Sequence, residues 1–393
     1  MKKTILILIG SVVLIQAAAV ELRAIPAFAR KYQMTCKTCH APFPKLKDYG
    51  EEFAGNGFVI KDKDAPRYYV DTGDDFLSLL RDVPLALRLE GFLTYNNADT
   101  NQLDFTSPYV LKLLSGGEIT RNIAYYFYFF FSERGEIAGI EDAFLMFNNL
   151  FGSDLDFYIG QFQVSDPLFK RELRLTFEDY QVYRAKPGES DINLTYDRGI
   201  MLTYGFPTGT DFTVEVLNGT GIGGANVFRN FDNDKYKNLL IRVSQDVGKD
   251  FRVGGFGYLG KEKKEAGVNS LWMAGADATI TAGLFELNLQ YVERRDDNPF
   301  FAAASLAPPE SIATRGGFAE LIYLPKGDES KWYLAGLLNF VSSGLDDLDY
   351  SSATFHFGRM LRRNIRATAE FTYVFDSVYK HHGRLAVGLV TGF

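Results

Sequence analysis

The sequence predicts an all-β fold, a transmembrane antiparallel β-barrel of about sixteen strands preceded by a short α-helical segment. Aromatic residues make up 15% of the 393 residues and 37 glycines accompany them, yet the mean hydropathy of −0.10 is close to neutral. From residue 85 onward, apolar and polar side chains alternate, as they do in strands with one face toward lipid and one toward a lumen. Short and long connections also alternate, which is typical of outer-membrane barrels and not required of a soluble β-sandwich.

The chain begins with a predicted signal peptide over residues 1–19. Lys2 and Lys3 precede an almost unbroken apolar run over residues 5–15, and three alanines at 17–19 form a small-residue cleavage site. The apolar run is too short to span a bilayer comfortably, so a cleaved signal is favoured over an uncleaved membrane helix. The net charge is −7. Export and negative charge together disfavour nucleic acid as a partner.

Residues 20–62 contain the strongest motif of the chain. Cys36 and Cys39, the only two cysteines, are followed directly by His40 in the pattern C-x-x-C-H. This is the attachment signature of a c-type haem, in which both thiols bind the haem covalently and the histidine binds the iron. A redox-active or structural cysteine pair is the alternative. The full five-residue pattern favours one covalent haem c.

Apolar residues around the motif have two expected roles. They could pack on the haem or on the interior of the barrel, and both roles are compatible. These residues are Phe28, Tyr32, Leu46, Phe53 and Phe58.

A charged stretch with a proline, residues 63–83, is predicted to link this segment to a barrel over residues 84–393. The predicted strands begin near residues 85, 107, 123, 142, 154, 199, 211, 237, 251, 270, 284, 315, 332, 351, 365 and 384. Predicted periplasmic turns include residues 206–210, 246–250, 281–283 and 362–364, and the long connections are residues 163–197, 219–235 and 295–313. The last strand ends in an aromatic residue, Phe393.

These motifs occur in the order signal peptide, A-x-P-x-F-A-R-K-Y, C-x-x-C-H, a proline-rich step and F-x-x-N-G-F, followed by a porin-like barrel. In that order the chain resembles the fused outer-membrane monohaem cytochrome–porins, a family that includes proposed iron(II) oxidases. The motifs cover about residues 24–95, and the barrel is similar in architecture only. The resemblance implies a haem in or at the lumen that passes electrons between an extracellular donor and periplasmic carriers. Its site residues carry over only to Cys36, Cys39 and His40.

The iron of an electron-transfer haem usually has a second axial ligand, methionine or histidine. Three residues expected to face the lumen are candidates for this sixth ligand: Met360, His356 and Met146. Simple packing is the alternative for each of them, because methionine commonly fills gaps in protein interiors. An open sixth position would instead allow ligand binding at the iron.

Charged connections suggest two further roles. Acidic residues in the predicted extracellular loops could attract Fe²⁺ or Ca²⁺, but a solvated surface is the favoured interpretation. They are Asp232, Asp234, Asp296, Asp297, Asp346, Asp347 and Asp349. The connection 163–197 could fold into the lumen and seat haem propionates. Its cationic residues include Lys170, Arg171, Arg174 and Arg184.

The sequence therefore predicts an electron-transfer protein in the outer membrane of a Gram-negative bacterium. Its expected donor is extracellular, in the first place Fe²⁺, and its expected partners are membrane lipid and a periplasmic c-type cytochrome. An iron(II):cytochrome oxidoreductase activity follows if Fe²⁺ is the donor. A diffusion porin with a haem-containing plug is the alternative, and electron export to an extracellular acceptor is a third possibility.

Overall fold

A computed structural model describes most of the chain. The described residues are 27–60, 69–70, 72–74, 77, 79–80, 83–98, 102–137, 139–264, 267–303, 310–362, 364–378 and 381–393. The predicted signal peptide lies outside the described residues, as does much of the predicted linker. Among the described residues, no helix is long and apolar enough to cross a membrane.

Three short helices form the N-terminal segment, and a small two-stranded ribbon follows them. The helices are α1 (Ala27–Tyr32), α2 (Cys36–Cys39) and α3 (Asp48–Gly55). The ribbon pairs β1 (Tyr69–Val70) with β2 (Leu79–Leu80) in antiparallel fashion. Pro42 and Pro44 follow the motif, and proline cannot continue a helix. The chain therefore turns between α2 and α3 and brings the two helices together.

Sixteen antiparallel strands close into one barrel, which confirms the predicted fold class. Each strand pairs with its sequence neighbours, and β18 pairs with β3 to close the sheet. The strands are β3 (Leu85–Asn96), β4 (Leu103–Thr120), β5 (Ile123–Glu133), β6 (Gly139–Leu150), β7 (Leu155–Gln163), β8 (Tyr196–Phe206), β9 (Thr210–Leu217), β10 (Asn238–Val247), β11 (Phe251–Lys263), β12 (Val268–Ala282), β13 (Phe285–Asp296), β14 (Ile312–Tyr323), β15 (Trp332–Ser343), β16 (Tyr350–Arg362), β17 (Ile365–Asp376) and β18 (His382–Gly392).

The two faces of each strand have different polarity. In β18, Leu385 and Val387 point outward and are about two-fifths exposed, whereas Ala386 and Val390 point inward and are buried. Since side chains alternate with period two, a slip of one residue would turn every apolar side chain into the lumen. The strong outward apolar pattern therefore fixes the register and gives the barrel a surface suited to lipid.

Connection lengths orient the barrel. The turns that follow β8, β10 and β12 are short, whereas 164–195, 218–237 and 297–311 are long. Bacterial barrels have short periplasmic turns and long extracellular loops. The N-terminal segment leads into β3, which begins at the short-turn end, so this segment lies on the periplasmic side.

The connection 164–195, called the lumen loop below, folds into the barrel as predicted. Tyr180 stacks on Phe318 of β14 with ring centroids 4.1 Å apart. The backbone N–H groups of Phe177 and Glu178 donate to the carboxylate of Glu370 on β17, at 2.6 and 2.8 Å. These contacts anchor the loop to the β14–β17 side of the wall.

The other side of the lumen loop reaches the opposite wall. Glu172 accepts a 2.9 Å hydrogen bond from Lys112 of β4. Polar side chains that face the lumen are consequently buried by the loop instead of lining open water. They include Lys112, Arg242, Asp277, Asn288, Gln290, Glu320, Arg366 and Glu370.

The N-terminal segment lies across the periplasmic mouth and contacts both sides of the barrel. Asn148 of β6 donates to the carbonyl of Gly55 at 2.7 Å, and Arg366 of β17 donates to the carbonyl of Phe43 at 2.8 Å. Lys45 forms a 2.7 Å ion pair with Glu286 of β13. The segment and the lumen loop thus fill successive levels of the barrel.

Candidate functional site

The C-x-x-C-H motif adopts a compact turn of helix at the periplasmic mouth. Cys36 and Cys39 begin and end α2, and the backbone N–H of His40 donates to the carbonyl of Cys36 at 2.9 Å. Residues three apart in a helix share a face, so the two thiols can reach one planar ligand. Both cysteines are half-buried free thiols. Burial raises the pKa of each thiol, so both are protonated at neutral pH.

Helix α3 packs tightly behind this turn because one of its residues is a glycine. A Cβ atom on Gly50 would lie 2.4 Å from the carbonyl oxygen of Cys39, well inside contact distance. The backbone N–H of Lys47 donates to that same oxygen at 2.8 Å. The position of the second cysteine is therefore fixed by the helix that follows it.

The His40 ring has one nitrogen in a hydrogen bond and is neutral, as metal-binding histidines usually are. Its Nδ1 donates to the carbonyl oxygen of Pro44 at 2.8 Å, which leaves the Nε2 lone pair as the free one. Burial lowers the pKa of His40 to about 4, against smaller opposing effects of the backbone carbonyls, so the ring is neutral at physiological pH. A neutral imidazole held through its other nitrogen is the usual arrangement of a histidine that binds a metal.

A cavity of about 410 Å³ separates the motif from the barrel wall. This volume is within the range of small-molecule and cofactor sites. The N-terminal segment contributes Cys36, Cys39 and His40, together with the apolar residues Phe28, Phe43, Leu46, Phe53 and Phe58. Strands β3 to β9 form the opposite side. The motif therefore forms one side of the cavity, and the barrel wall forms the other.

The predicted apolar residues pack on the barrel interior, and packing on a haem stays a prediction. Phe58 stacks on Phe28 with centroids 4.6 Å apart and on Tyr126 of β5 at 5.1 Å. The hydroxyl of Tyr32 donates to the carbonyl of Phe58 at 2.9 Å. Phe53 meets the rings of Phe28 and Phe58 edge to face. This aromatic cluster packs the segment against the barrel interior and also forms the apolar surface of the cavity.

The cationic residues at the cavity are only partly those expected from the sequence. Lys170 of the lumen loop lines the cavity, but Arg171, Arg174 and Arg184 surround Asp179 instead. Arg88 and Lys112, on the first two barrel strands, line the cavity and were not predicted. Their signal in the sequence is a cation at an inward-facing position of an alternating strand.

The three loop arginines have a structural partner. Arg171 binds Asp179 in a bidentate manner, with distances of 3.1 and 2.5 Å. Burial would raise the pKa of Asp179, but the guanidinium groups of Arg171 and Arg174 outweigh it and hold this pKa well below its ordinary range. This paired charge stabilises the folded form of the lumen loop.

The three candidate sixth ligands lie in different places. Met146 of β6 is 2% exposed and lines the cavity. His356 is buried, but its Nδ1 contacts Glu370 at 2.8 Å and its Nε2 contacts the hydroxyl of Tyr333 at 3.2 Å. Met360 lies near the periplasmic end of β16 and does not line the cavity. The structure therefore brings only Met146 of these three together with His40.

Two further methionines line the cavity and were not among the candidates. Met201 of β8 belongs to the same row as Met146, because Tyr158 of β7 pairs with both of them. Met34 precedes α2 on the motif side. Only the closed barrel reveals the row, since these residues are far apart in sequence.

Several of the acidic loop residues have structural partners. Asp232 pairs with Lys237, Asp296 pairs with Arg294, and Asp349 accepts the backbone N–H of Ser343 at 2.7 Å. Throughout the described part of the chain, no three His, Cys, Asp or Glu side chains are placed to hold a metal ion. Asp297, Asp346 and Asp347 are exposed, as a solvated surface predicts, whereas Asp296 is buried beside Arg294 and departs from that prediction.

Comparison with known proteins identifies the fold. No protein-family model matches the chain, and no curated protein matches its sequence. Among solved structures, the anion-selective porin from Comamonas acidovorans has a TM-score of 0.58 at 12% identity, over 79% of this chain and 99% of the porin. The loop L8 deletion mutant of OmpT from Vibrio cholerae has a TM-score of 0.54 at 14% identity, over 79% and 99%. Salmonella typhi OmpF has a TM-score of 0.53 at 12% identity, over 79% and 97%.

These similarities establish a porin-like barrel. The closed sheet leaves no strand edge, and the outward face is apolar, as a lipid-embedded barrel requires. The predicted outer-membrane localisation and lipid environment are thereby confirmed.

Proposed function

We propose that this protein is an outer-membrane electron conduit that takes electrons from an extracellular donor, in the first place Fe²⁺, and passes them to a periplasmic c-type cytochrome. One observation carries the proposal: both thiols of the C-x-x-C-H motif and His40 line one apolar cavity inside a membrane-spanning barrel. The porin-like fold by itself is equally compatible with a diffusion porin.

The residues around the cavity fit a haem c. Cys36 and Cys39 would hold it covalently, and His40 would bind the iron through Nε2. The aromatic cluster around Phe58 offers it an apolar surface. Of the predicted candidates, Met146 is placed to provide the sixth ligand. A haem c at this position supplies reversible one-electron chemistry.

Three cations could bind the propionate groups of such a haem. Arg88 and Lys112 line the cavity from the barrel wall, and Lys170 lines it from the lumen loop. Arginine and lysine bind carboxylates through charge-assisted hydrogen bonds. Arg88 is paired with Glu90 and Lys112 with Glu172, so a propionate would share each of these cations with its carboxylate partner.

The surrounding chain covers the cavity on two sides and holds the ligand side chain in place. The lumen loop covers it from the extracellular side, and α3 covers the motif from the other. Pro44 holds the His40 proton on Nδ1, so Nε2 would be the nitrogen that binds the haem iron. A rigid surrounding of this kind favours electron transfer because little reorganisation accompanies a change of charge.

A diffusion porin with the N-terminal segment as its plug is the second candidate. Its support is the similarity to porins from several bacteria. The burial of lumen-facing polar residues by the loop and the segment argues for the conduit, because water-filled pores leave such residues solvated.

The deciding experiment uses purified full-length protein that is shown by haem stain to carry haem. We expect anoxic Fe²⁺ to reduce the haem of the protein in liposomes, as followed by optical spectroscopy. The Cys36→Ala/Cys39→Ala variant should assemble as a barrel without covalent haem. A haem-loaded protein that dithionite reduces and Fe²⁺ does not would exclude iron as donor, and absence of covalent haem would leave the porin function.

A further inference from the structure

Two aspartates form an acidic wall on the extracellular side of the cavity. Asp142 of β6 and Asp166 of the lumen loop both line it. Strand β6 runs from the extracellular to the periplasmic side, so Asp142 lies four residues nearer the outside than Met146. A cation that enters the lumen from outside would meet this pair before it reached the residues around His40.

The Asp142 carboxylate is buried, and one of its two oxygens has no partner in the described structure. The residue is 5% exposed, and its Oδ1 atom is buried without a hydrogen bond among the described residues. An isolated carboxylate is costly to bury, so it must be protonated or be balanced by a cation. The nearby ammonium group of Lys112 is bound to Glu172 at 2.9 Å.

Asp166 lies beside neutral oxygen atoms that also lack partners. Its carboxylate accepts a 2.9 Å hydrogen bond from the Nε2 of Gln163, and the Oε1 of Gln163 and the Oγ of Ser165 are buried without hydrogen bonds in the described structure. Burial raises the pKa of Asp166 to about 6, with Lys170 opposing the shift. The side chain can therefore exchange its proton for a cation near neutral pH.

We propose that Asp142 and Asp166 form a docking site for a divalent metal cation on the extracellular side of the cavity. Both aspartates line the cavity, and carboxylate oxygens are ligands for hard divalent ions. With only two carboxylates, a bound ion would keep several water molecules, which suits a transiently bound substrate better than a resident metal. That the ion is Fe²⁺ on its way to donate an electron rests on the proposed function, whereas the binding of a divalent cation does not.

The test uses Mn²⁺ as a redox-stable probe on the full-length, haem-stained protein, with free Mn²⁺ measured by electron paramagnetic resonance. We expect Asp142→Asn and Asp166→Asn each to weaken the wild-type binding by roughly tenfold or more. Asp347→Asn, which changes an exposed loop carboxylate, should leave it unchanged. Binding should strengthen as the pH rises through about 6, because Asp166 then loses its proton.

The outcomes separate the site from the function. Equal Mn²⁺ binding by wild type and both cavity variants, with each variant folded as judged by heat-modifiable migration, would overturn the site. If Fe²⁺ still reduced the haem in those variants, the proposed electron-conduit function would stand without the cation site. Mn²⁺ binding that depends on both aspartates in a protein that Fe²⁺ cannot reduce would support the site and remove iron as the donor.

Discussion

At the scale of single residues, the same side-chain types serve different purposes according to their partners. His40 keeps one ring nitrogen free, whereas both nitrogens of His356 have partners. Lys170 lines the cavity, whereas its neighbour Arg171 is bound to Asp179. Partners, and not residue type, therefore decide which groups are available to a cofactor.

The proposed sixth ligand, Met146, can be tested by a substitution that removes its thioether. Met146→Leu keeps the volume and removes the thioether, so we expect a lower haem reduction potential and an altered axial-ligand spectrum, because thioether ligation raises the potential. The control is Met360→Leu, which should leave both unchanged, as this residue does not line the cavity. A Met146→Leu spectrum identical to that of wild type would direct attention to Met201.

The buried ion pair of the lumen loop gives a pH-dependent prediction. Asp179→Asn leaves Arg171 unpaired, and loss of one partner of a buried pair costs about 3–5 kcal/mol. We expect the variant to unfold at lower urea concentration than wild type at pH 7. Because the pKa of Asp179 is depressed in the folded state, its contribution is complete above about pH 4 and is lost as the pH falls further.

The two urea midpoints should therefore converge only in strong acid. A difference that vanished between pH 7 and pH 5 would show that another group is responsible. Asp347→Asn serves as the matched control, since its carboxylate is exposed in an extracellular loop.

At the scale of elements, the lumen loop distinguishes this barrel because it fills part of the lumen. Its length is typical of a functional loop, but its position depends on contacts with distant strands. Glu370 binds two consecutive backbone N–H groups of the loop, and Arg384 holds Glu178 at 2.5 Å. The loop is thus fixed to the last two strands of the barrel.

Removal of this anchor should loosen the loop. In Glu370→Ala, the N–H groups of Phe177 and Glu178 lose their acceptor, and His356 loses its partner. We expect brief openings of measurable ion conductance in planar bilayers, which wild type lacks. Glu136→Ala, in an exposed extracellular turn, should behave like wild type. A Glu370→Ala barrel that stays closed would show that the aromatic contacts of Tyr180 are sufficient.

At the scale of the whole molecule, two chain segments fill a barrel that resembles open porins in its strands. The N-terminal segment contacts β5, β6, β13 and β17 at the periplasmic mouth, and the lumen loop spans the next level. A pathway for solutes would have to pass both. An electron has no such requirement.

We accordingly expect wild-type protein in planar bilayers to conduct far less than a general diffusion porin under the same salt and voltage. Proteoliposomes should show haem reduction only when Fe²⁺ is added on the side of the long loops. Stable, porin-like conductance of haem-loaded protein would contradict a closed lumen. Equal reduction from both sides would contradict the assigned direction of approach.

The sequence by itself determined the strand count, the orientation and the cofactor motif, because each depends on local patterns. Alternation with period two marks a strand, connection lengths mark its ends, and Cys36, Cys39 and His40 are nearly contiguous. The tertiary structure alone decided which distant residues share the cavity. Arg88, Met146 and Asp166 meet the motif only because the barrel closes and the loop folds inward. No local pattern encodes such proximity, since it arises from contacts between residues that are far apart in the sequence.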